Sequence, residues 1–519
     1  MYKSVLYVTI IGWSIVFTGR ALARPFKPPG PPNIVVFLVD DMGWQDTSVP
    51  FWNQKTPLNK RYHTPNMERL AREGMKFTNA YAAPVCTPTR VSLLTGMNPA
   101  HHRVTHWTSP NKNTNTDYAD TTLSFVDWNI NGLSPTVGIE HTIQATPLPA
   151  LLSQHNYYTI HCGKAHFASA GTPGSDPKNL GFKINIAGSE IGHPASYLGT
   201  DNYDRPAKGK LNRNAVPGLE AYHGTDTFLS EALTREALKA LDKPIQDKQP
   251  FFLYMAHYAV HTPIMADKRF VGKYLKAGLD STEASYAALL EGMDKSLGDV
   301  LDFLNKQHLT KNTVILFMSD NGGLSTSPAR SAPAHTQNLP LKAGKGSVYE
   351  GGIREPMLVR WPGVVKPGSV ANQYLIVEDF FPTILDVAGI KNPKFTQSLD
   401  GESFLPLLKN ANLRNATRTL VWHHPHRWIP QEGPLISWAS AMRQGDWKLV
   451  YDHRREKLEL YNLKIDIREQ HDVAKQYSKK VRELAELFTK RLKDWDAQMP
   501  TFKATGKPVR WPLETVISE

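Results

Sequence analysis

Cysteine is almost absent from this chain, with only Cys86 and Cys162 among 519 residues. That count excludes a disulfide framework and leaves room for one bridge at most. Beyond residue 23 no stretch is long and apolar enough to cross a bilayer, so no stable membrane span is expected. No internal repeat is found. Basic residues outnumber acidic ones, for a net charge of +12, yet no basic run is interleaved with aromatics and no nucleic-acid motif occurs. Nucleic acid is therefore excluded as a partner. The surplus reads either as attraction of a polyanion to a cleft or as plain solubility.

The composition is that of a globular protein, 41% hydrophobic with 12 Trp. The length predicts one large α/β domain plus a smaller one, or two to four domains. Residues 1–23 carry Lys3, an apolar run from Val5 to Phe17, and Ala21-Leu22-Ala23. This fits a cleaved export signal, with an uncleaved anchor as the alternative. Two cysteines in an exported chain suit a secreted or periplasmic bacterial protein, and the single sequon Asn415-Ala416-Thr417 is too common to alter that.

Two unbroken apolar runs, Asn33 to Val39 and Thr313 to Met318, read as strands buried on both faces of a parallel sheet. The first ends on Asp40-Asp41 and the second on Ser319-Asp320-Asn321-Gly322-Gly323. Ligands bind at the carboxyl ends of such strands, so these tips read as an all-oxygen cation site of the kind that selects Ca²⁺ or Mg²⁺ over Zn²⁺. Taken alone, each tip reads equally as a solvated acidic turn. A helix is predicted from Pro65 to Arg72, capped by Thr64 and stopped by Gly74. Tyr286, Leu290, Met293, Leu297, Val300 and Leu304 form the core-facing stripe of another.

The stretch Pro84 to Gly96 puts Cys86 at a helix N-terminus, with Pro88 read as the first helical residue and Arg90 one turn along. It reads as a place for a small oxyanion or as an inert buried thiol. Further on, Gly163-Lys164-Ala165-His166 follows a predicted strand, and an extended path there puts Lys164 and His166 on one side. Elsewhere such a pair is usually surface. His261-Thr262-Pro263 follows the apolar strand Phe251 to Met255, and Lys345 sits in the glycine-rich run Lys342 to Arg354. Thr108 to Thr122, and Gly188 to Tyr197 with His193, read as loops beside the pocket.

Cys86-Thr-Pro-Thr-Arg90 followed by Leu-Thr-Gly resembles the signature of the type I sulfatases, within the alkaline phosphatase superfamily. Gly-Lys164-Ala-His166, where the family usually has Trp in place of Ala165, the His261 turn, Asp320-Asn321 and Lys345-Gly…Tyr349-Glu-Gly-Gly follow in the family's order. The resemblance runs from Asn33 to about Ala474. It implies a large mixed, mostly parallel sheet between helices, with a smaller antiparallel sheet plus helix. The expected division is residues 1–23 signal, 24–410 catalytic domain and 411–519 C-terminal α+β subdomain.

The resemblance also implies a reaction. Cys86 is oxidised to formylglycine (3-oxoalanine) by a formylglycine-generating enzyme, and its hydrate attacks a sulfate ester. One Ca²⁺ or Mg²⁺ is held by Asp40, Asp41, Asp320, Asn321 and residue 86. Arg90, Lys164 and Lys345 stabilise the anionic oxygens, His261 contacts the sulfate, His261 or Lys345 protonates the leaving alcohol, and His166 takes the proton that releases sulfate. The expected substrate is a sulfated small molecule or glycan, a carbohydrate over an aryl sulfate. A phosphoesterase of the same superfamily and a catalytically silent sulfated-glycan binder are the rival readings.

In the C-terminal part, short strands around 419–424, 438–444, 447–451 and 458–463 predict an antiparallel sheet, packed by a helix from Val481 to Trp495. His423, His424 and His426 read as strand-edge loop residues, with the pocket rim as the alternative.

Overall fold

The computed structural model describes Met1 and residues 30–206, 209–324, 338–429 and 436–518. The expected signal segment, Met1 aside, lies outside them. The main sheet runs in the order Ser369–Ala371, Met75–Tyr81, Arg354–Arg360, Thr313–Ser319, Asn33–Val39, Phe251–Ala256, Tyr158–Gly163, Ile184–Ile186, and Leu375–Ile376 also pairs with Met75–Tyr81. Only Arg354–Arg360 runs antiparallel to its neighbours, so the sheet is mixed and mostly parallel, as expected.

The apolar run at Asn33–Val39 is explained by burial on both sides. Ile34, Val36 and Leu38 enter one hydrophobic core, while Val35, Phe37 and Val39 enter the other. Its parallel register with Thr313–Ser319 pairs Val39 with Ser319. The two acidic tips therefore emerge side by side.

The helix Ser281–Lys306 starts at Asp280, whose side chain accepts from the Thr282 and Glu283 N–H groups, and its whole predicted stripe is buried. Those six side chains contribute roughly 10 kcal/mol before chain entropy is counted. The helix Pro65–Glu73 lies where it was predicted, but Thr64 does not cap it. The Asp294 carboxylate on the neighbouring helix accepts from the N–H groups of Asn66 and Met67 at 3.0 and 2.8 Å, while Thr64 Oγ1 bonds Thr47 and Ser48. A capping partner from another element is invisible to local sequence reading.

The second sheet is antiparallel in the order Thr419–His424, Ala439–Gln444, Trp447–Asp452, Lys457–Asn462. Val481, Leu484 and Phe488 of the helix Ser478–Asp494 pack against it. A buried ion pair, Lys448 Nζ to Glu350 Oε1 at 2.9 Å, joins it to the main unit. His423 and His424 end the edge strand of this sheet and His426 lies in the loop after it, but none of them is exposed or lines the pocket, a correction to the rim reading. All three are buried, with His426 Nδ1 2.9 Å from Asp117 and its ring stacked on His106 at 4.7 Å. The loop carrying His106 and Asp117 covers His424 and His426, while His423 bonds Ser440 and the Gln498 carbonyl at 2.7 and 2.9 Å, cover that strand periodicity could not indicate.

Candidate active site

The helix Cys86–Thr95 begins at Cys86 itself, so Pro88 is its third residue rather than its first. The helix still lacks an N–H there at no cost, because first-turn N–H groups have no helical partner. Thr89 Oγ1 accepts from the Ala83 N–H, and Gly96 closes the helix at φ 71°. Cys86 and Cys162 are both free and buried, and the Cys162 thiol donates to the Leu233 carbonyl at 3.3 Å, so no bridge joins them.

Around Cys86 opens a cavity of about 690 Å³ lined by Asp41, Cys86, His166, His261 and Lys345. Asp40, Arg90, Lys164, Asp320 and Asn321 stand behind that wall, all fully buried. The ten expected residues thus converge, in two layers.

In the rear layer, Arg90 donates from Nε and Nη2 to Asp320 Oδ2 at 3.0 and 2.7 Å, and from Nη1 to the Lys164 carbonyl at 2.9 Å. Lys164 Nζ donates to Asp40 Oδ2 at 2.7 Å. Asn321 Nδ2 and Lys345 Nζ both donate to Asp41 Oδ1, at 2.7 and 2.5 Å. Both Asp320 oxygens are taken, the second by the Asp41 N–H at 3.2 Å.

Among the described residues, three buried oxygens at this site are left without a hydrogen-bond partner: Asp40 Oδ1, Asp41 Oδ2 and Asn321 Oδ1. Unpaired buried acceptors are costly, and three at one place, two of them from carboxylates, suit a hard cation. Asp40, Asp41 and His261 also bring ligand atoms within 4.8 Å of one another. Burial and the Asp320 carboxylate push Asp40 well above its usual range, and Lys164 offsets only part of this. Burial also opposes ionisation of Asp41, but the ammonium groups of Lys345 and Lys164 help to outweigh it and hold that carboxyl below its usual range.

Gly163 carries the chain past the end of its strand at φ 98°, where a Cβ would meet the Ala256 carbonyl oxygen at 1.9 Å. His166 then takes φ 50°, so the segment is not extended as predicted. It is this left-handed turn that brings His166 to the cavity wall while Lys164 stays behind it. His166 Nε2 lies 2.9 Å from the Thr108 carbonyl, which only accepts, so the ring proton sits on Nε2 and Nδ1 is left as an acceptor 3.4 Å from Cys86 Sγ. Burial and Lys164 keep this imidazole neutral, well below its ordinary pKa.

His261 Nδ1 lies 2.9 Å from the Thr262 carbonyl, which leaves Nε2 as an acceptor facing Asp41 Oδ2 at 3.5 Å. Burial lowers its pKa in spite of Asp41. Lys345 arrives through glycine contacts: a Cβ on Gly322 would meet the Gly351 carbonyl oxygen at 1.9 Å, and the Lys345 N–H donates to the Gly323 carbonyl at 3.1 Å.

The outer wall also holds residues without a mark in the sequence: Tyr118 within the expected loop Thr108 to Thr122, Trp107 just before it, and Arg213, Asn214 and Trp428 elsewhere. His193, expected beside the pocket, does line it, stacked on His261 at 5.5 Å with its Nε2 3.1 Å from Asn214 Nδ2. No periodicity or motif marks Trp428 or Arg213. Only the tertiary path brings them in.

A family model described as Sulfatase matches residues 32–390, and one described as N-sulphoglucosamine sulphohydrolase, C-terminal, matches residues 344–498. A sulfatase of Formosa agariphila is 29% identical over 525 residues, covering 89% of this chain and 88% of its own. The human N-acetylgalactosamine-6-sulfatase is 31% identical over 423 residues, covering 77% and 72%. The crystal structure of Ps i-CgsB in complex with k-i-k-neocarrahexaose is similar at a TM-score of 0.68 and 26% identity, covering 90% of this chain and 94% of that one.

Proposed function

The chain belongs to the sulfatase family and is a sulfuric ester hydrolase; from that premise we propose that it desulfates a sulfated carbohydrate, with Cys86 matured to formylglycine beside one Ca²⁺ or Mg²⁺. The observation that carries this reading is the meeting of Cys86, His166 and Lys345 on one cavity wall with three unpartnered oxygens of Asp40, Asp41 and Asn321 at its base. Asp40, Asp41, Asn321 and Asp320 are the residues that would hold the cation. When present, the cation supplies a Lewis acid and the matured residue a hydrated-aldehyde nucleophile.

The protein groups do the rest. Arg90 and Lys164 fix the orientation of Asp320 and Asp40 and balance their charge. Lys345, protonated because burial is outweighed by the Asp41 carboxylate, brings a cation to the cavity wall where a sulfuryl group would sit. His166 Nδ1 is an open acceptor at residue 86 and would take a proton there. Lys345 is favoured over His261 as donor to the leaving alcohol, because the His261 ring proton is already given to Thr262 while the Lys345 ammonium has donors to spare.

Support for a carbohydrate comes from Trp107, Tyr118 and Trp428 beside the polar Arg213 and Asn214 on the wall, and from the saccharides named with two of its relatives. Export by the signal read at residues 1–23, to the periplasm or outside a bacterial cell, and a formylglycine-generating enzyme as partner, belong to the same proposal. Among the described residues no helix is long and apolar enough to cross a membrane.

The test has two arms. A hydrazide should trap an aldehyde at residue 86 in protein made alongside a maturing enzyme, and a thiol in the active enzyme would end the formylglycine reading. Defined sulfated oligosaccharides should lose sulfate, and activity confined to aryl sulfates would end the carbohydrate reading.

A further inference from the structure

A second cavity, of about 890 Å³, shares no lining residue with the first. It opens where the edge of the main sheet meets the C-terminal sheet. Lys76 and Asn79 come from the Met75–Tyr81 strand, and Arg443 and Asp446 from Ala439–Gln444 and the turn after it. Such crevices between units are common places for ligands.

Its charge is one-sided. Five cationic side chains line it, Lys76, Arg354, Arg414, Arg443 and Lys464, against a single carboxylate, Asp446. Arg354 is paired with Glu350 at 3.1 Å, and Arg443 lies over the rings of Tyr81 and Tyr374. Among the described residues Lys76, Arg414 and Lys464 have no ion pair. Lys76 is the most telling of them. It is half-buried, and among the described residues its Nζ has one acceptor, the Pro50 carbonyl at 2.5 Å, which leaves two ammonium donors without a partner there. Burial pulls its pKa below the ordinary lysine value, since no carboxylate stands by to oppose it.

The remaining lining is suited to sugar. Trp52 offers an aromatic face for the C–H side of a pyranose, and the amides of Asn53, Asn372 and Asn415 offer donors and acceptors for hydroxyls. We propose that this cavity is a second, non-catalytic binding site for a sulfated saccharide, which holds a part of the polymer other than the ester under attack. The ligand class rests on the carbohydrate reading of the first cavity, while the site itself does not depend on catalysis.

The test separates binding from turnover. Cys86→Ala protein, and the same protein carrying Arg414→Gln with Lys464→Gln, is titrated calorimetrically with chondroitin sulfate and carrageenan oligosaccharides. Both changed residues are exposed, so the fold is not at risk; Lys76→Gln provides an independent variant. For at least one saccharide, affinity should fall about tenfold in the double variant. With Cys86 intact, KM on that saccharide should rise by the same factor, while kinetics on 4-nitrophenyl sulfate stay unchanged.

Equal affinity of parent, double variant and Lys76→Gln for every saccharide would overturn the proposal. So would an oligonucleotide of matched charge binding as tightly as the saccharide. Charge-dependent binding in a protein that desulfates no saccharide would keep this site and remove the carbohydrate reading of the first.

Discussion

Arg90 reaches Asp320 with two nitrogens, Nε at 3.0 Å and Nη2 at 2.7 Å, and its third contact is the Lys164 carbonyl. A single guanidinium thus ties the cysteine helix to the tip of Thr313–Ser319 and to the segment that carries Lys164 and His166. Arg90 is an organiser of the site from behind, since it does not line the cavity. Lysine keeps the charge but not the planar fork. Arg90→Lys should cost about 3 kcal/mol of stability, as breaking a buried pair does, and most of the activity. A Tm within a degree of the parent, with activity within about twofold, would show that the fork is dispensable.

Burial and, after it, the Asp320 carboxylate push the Asp40 carboxyl well above its usual range, so without a cation the folded state bears the cost of keeping a proton there. Dialysis against EDTA should remove activity, and Ca²⁺ or Mg²⁺ should restore it. In the chelated protein near neutral pH, Asp40→Asn should raise Tm by several degrees while leaving the enzyme inactive, because a neutral amide needs no proton taken up on folding. A lower Tm in that comparison would contradict the site's electrostatics.

Gly322 has no room for a side chain against the Gly351 carbonyl. Gly322→Ala should push the Lys345 loop off the acidic tips and lower kcat/KM about a hundredfold, a displacement of about 1 Å being enough. Parent-like kinetics would mean that the backbone yields elsewhere.

Asp294 gives a pH signature in stability. Burial raises its pKa to about 7, despite the N–H groups of Asn66 and Met67 that it accepts from. The unfolded carboxyl titrates near 3.9, so between about pH 4 and 7 the native state holds more proton than the unfolded one. Stability from this group therefore falls as pH rises through that window, by an amount on the order of 4 kcal/mol. Urea titrations of parent and Asp294→Asn across pH 4 to 7 should show a shallower decline in the variant. Identical slopes would rule the group out as the source.

Much of the site was legible because its residues stand at strand ends and helix starts that leave local marks. An apolar run ending in Asp40-Asp41, or a cysteine two residues before a proline, signals its place through burial pattern and backbone preference. His166 was named for the right neighbourhood and the wrong path, since an alternating strand rule does not foresee φ 50°. Thr64 was given a cap that Asp294 supplies from another helix, 228 residues away from Asn66 in the chain. His424 and His426 looked like loop residues because the segment that buries them lies some three hundred positions earlier, and His423 because its partners Ser440 and Gln498 belong to other elements.

By itself, the chain's order of residues determined which segments are strands buried on two faces, which helix presents Cys86, and that carboxylates and an amide sit at two strand tips, since burial pattern and capping are short-range properties. Only the tertiary structure decided that Arg90 and Lys164 stand behind the cavity while Lys345 and His166 face it, that Trp428 and Arg213 share its wall, and that a second cationic crevice exists. Those outcomes depend on which strands become neighbours, and buried charges pair with whatever long-range packing brings within reach.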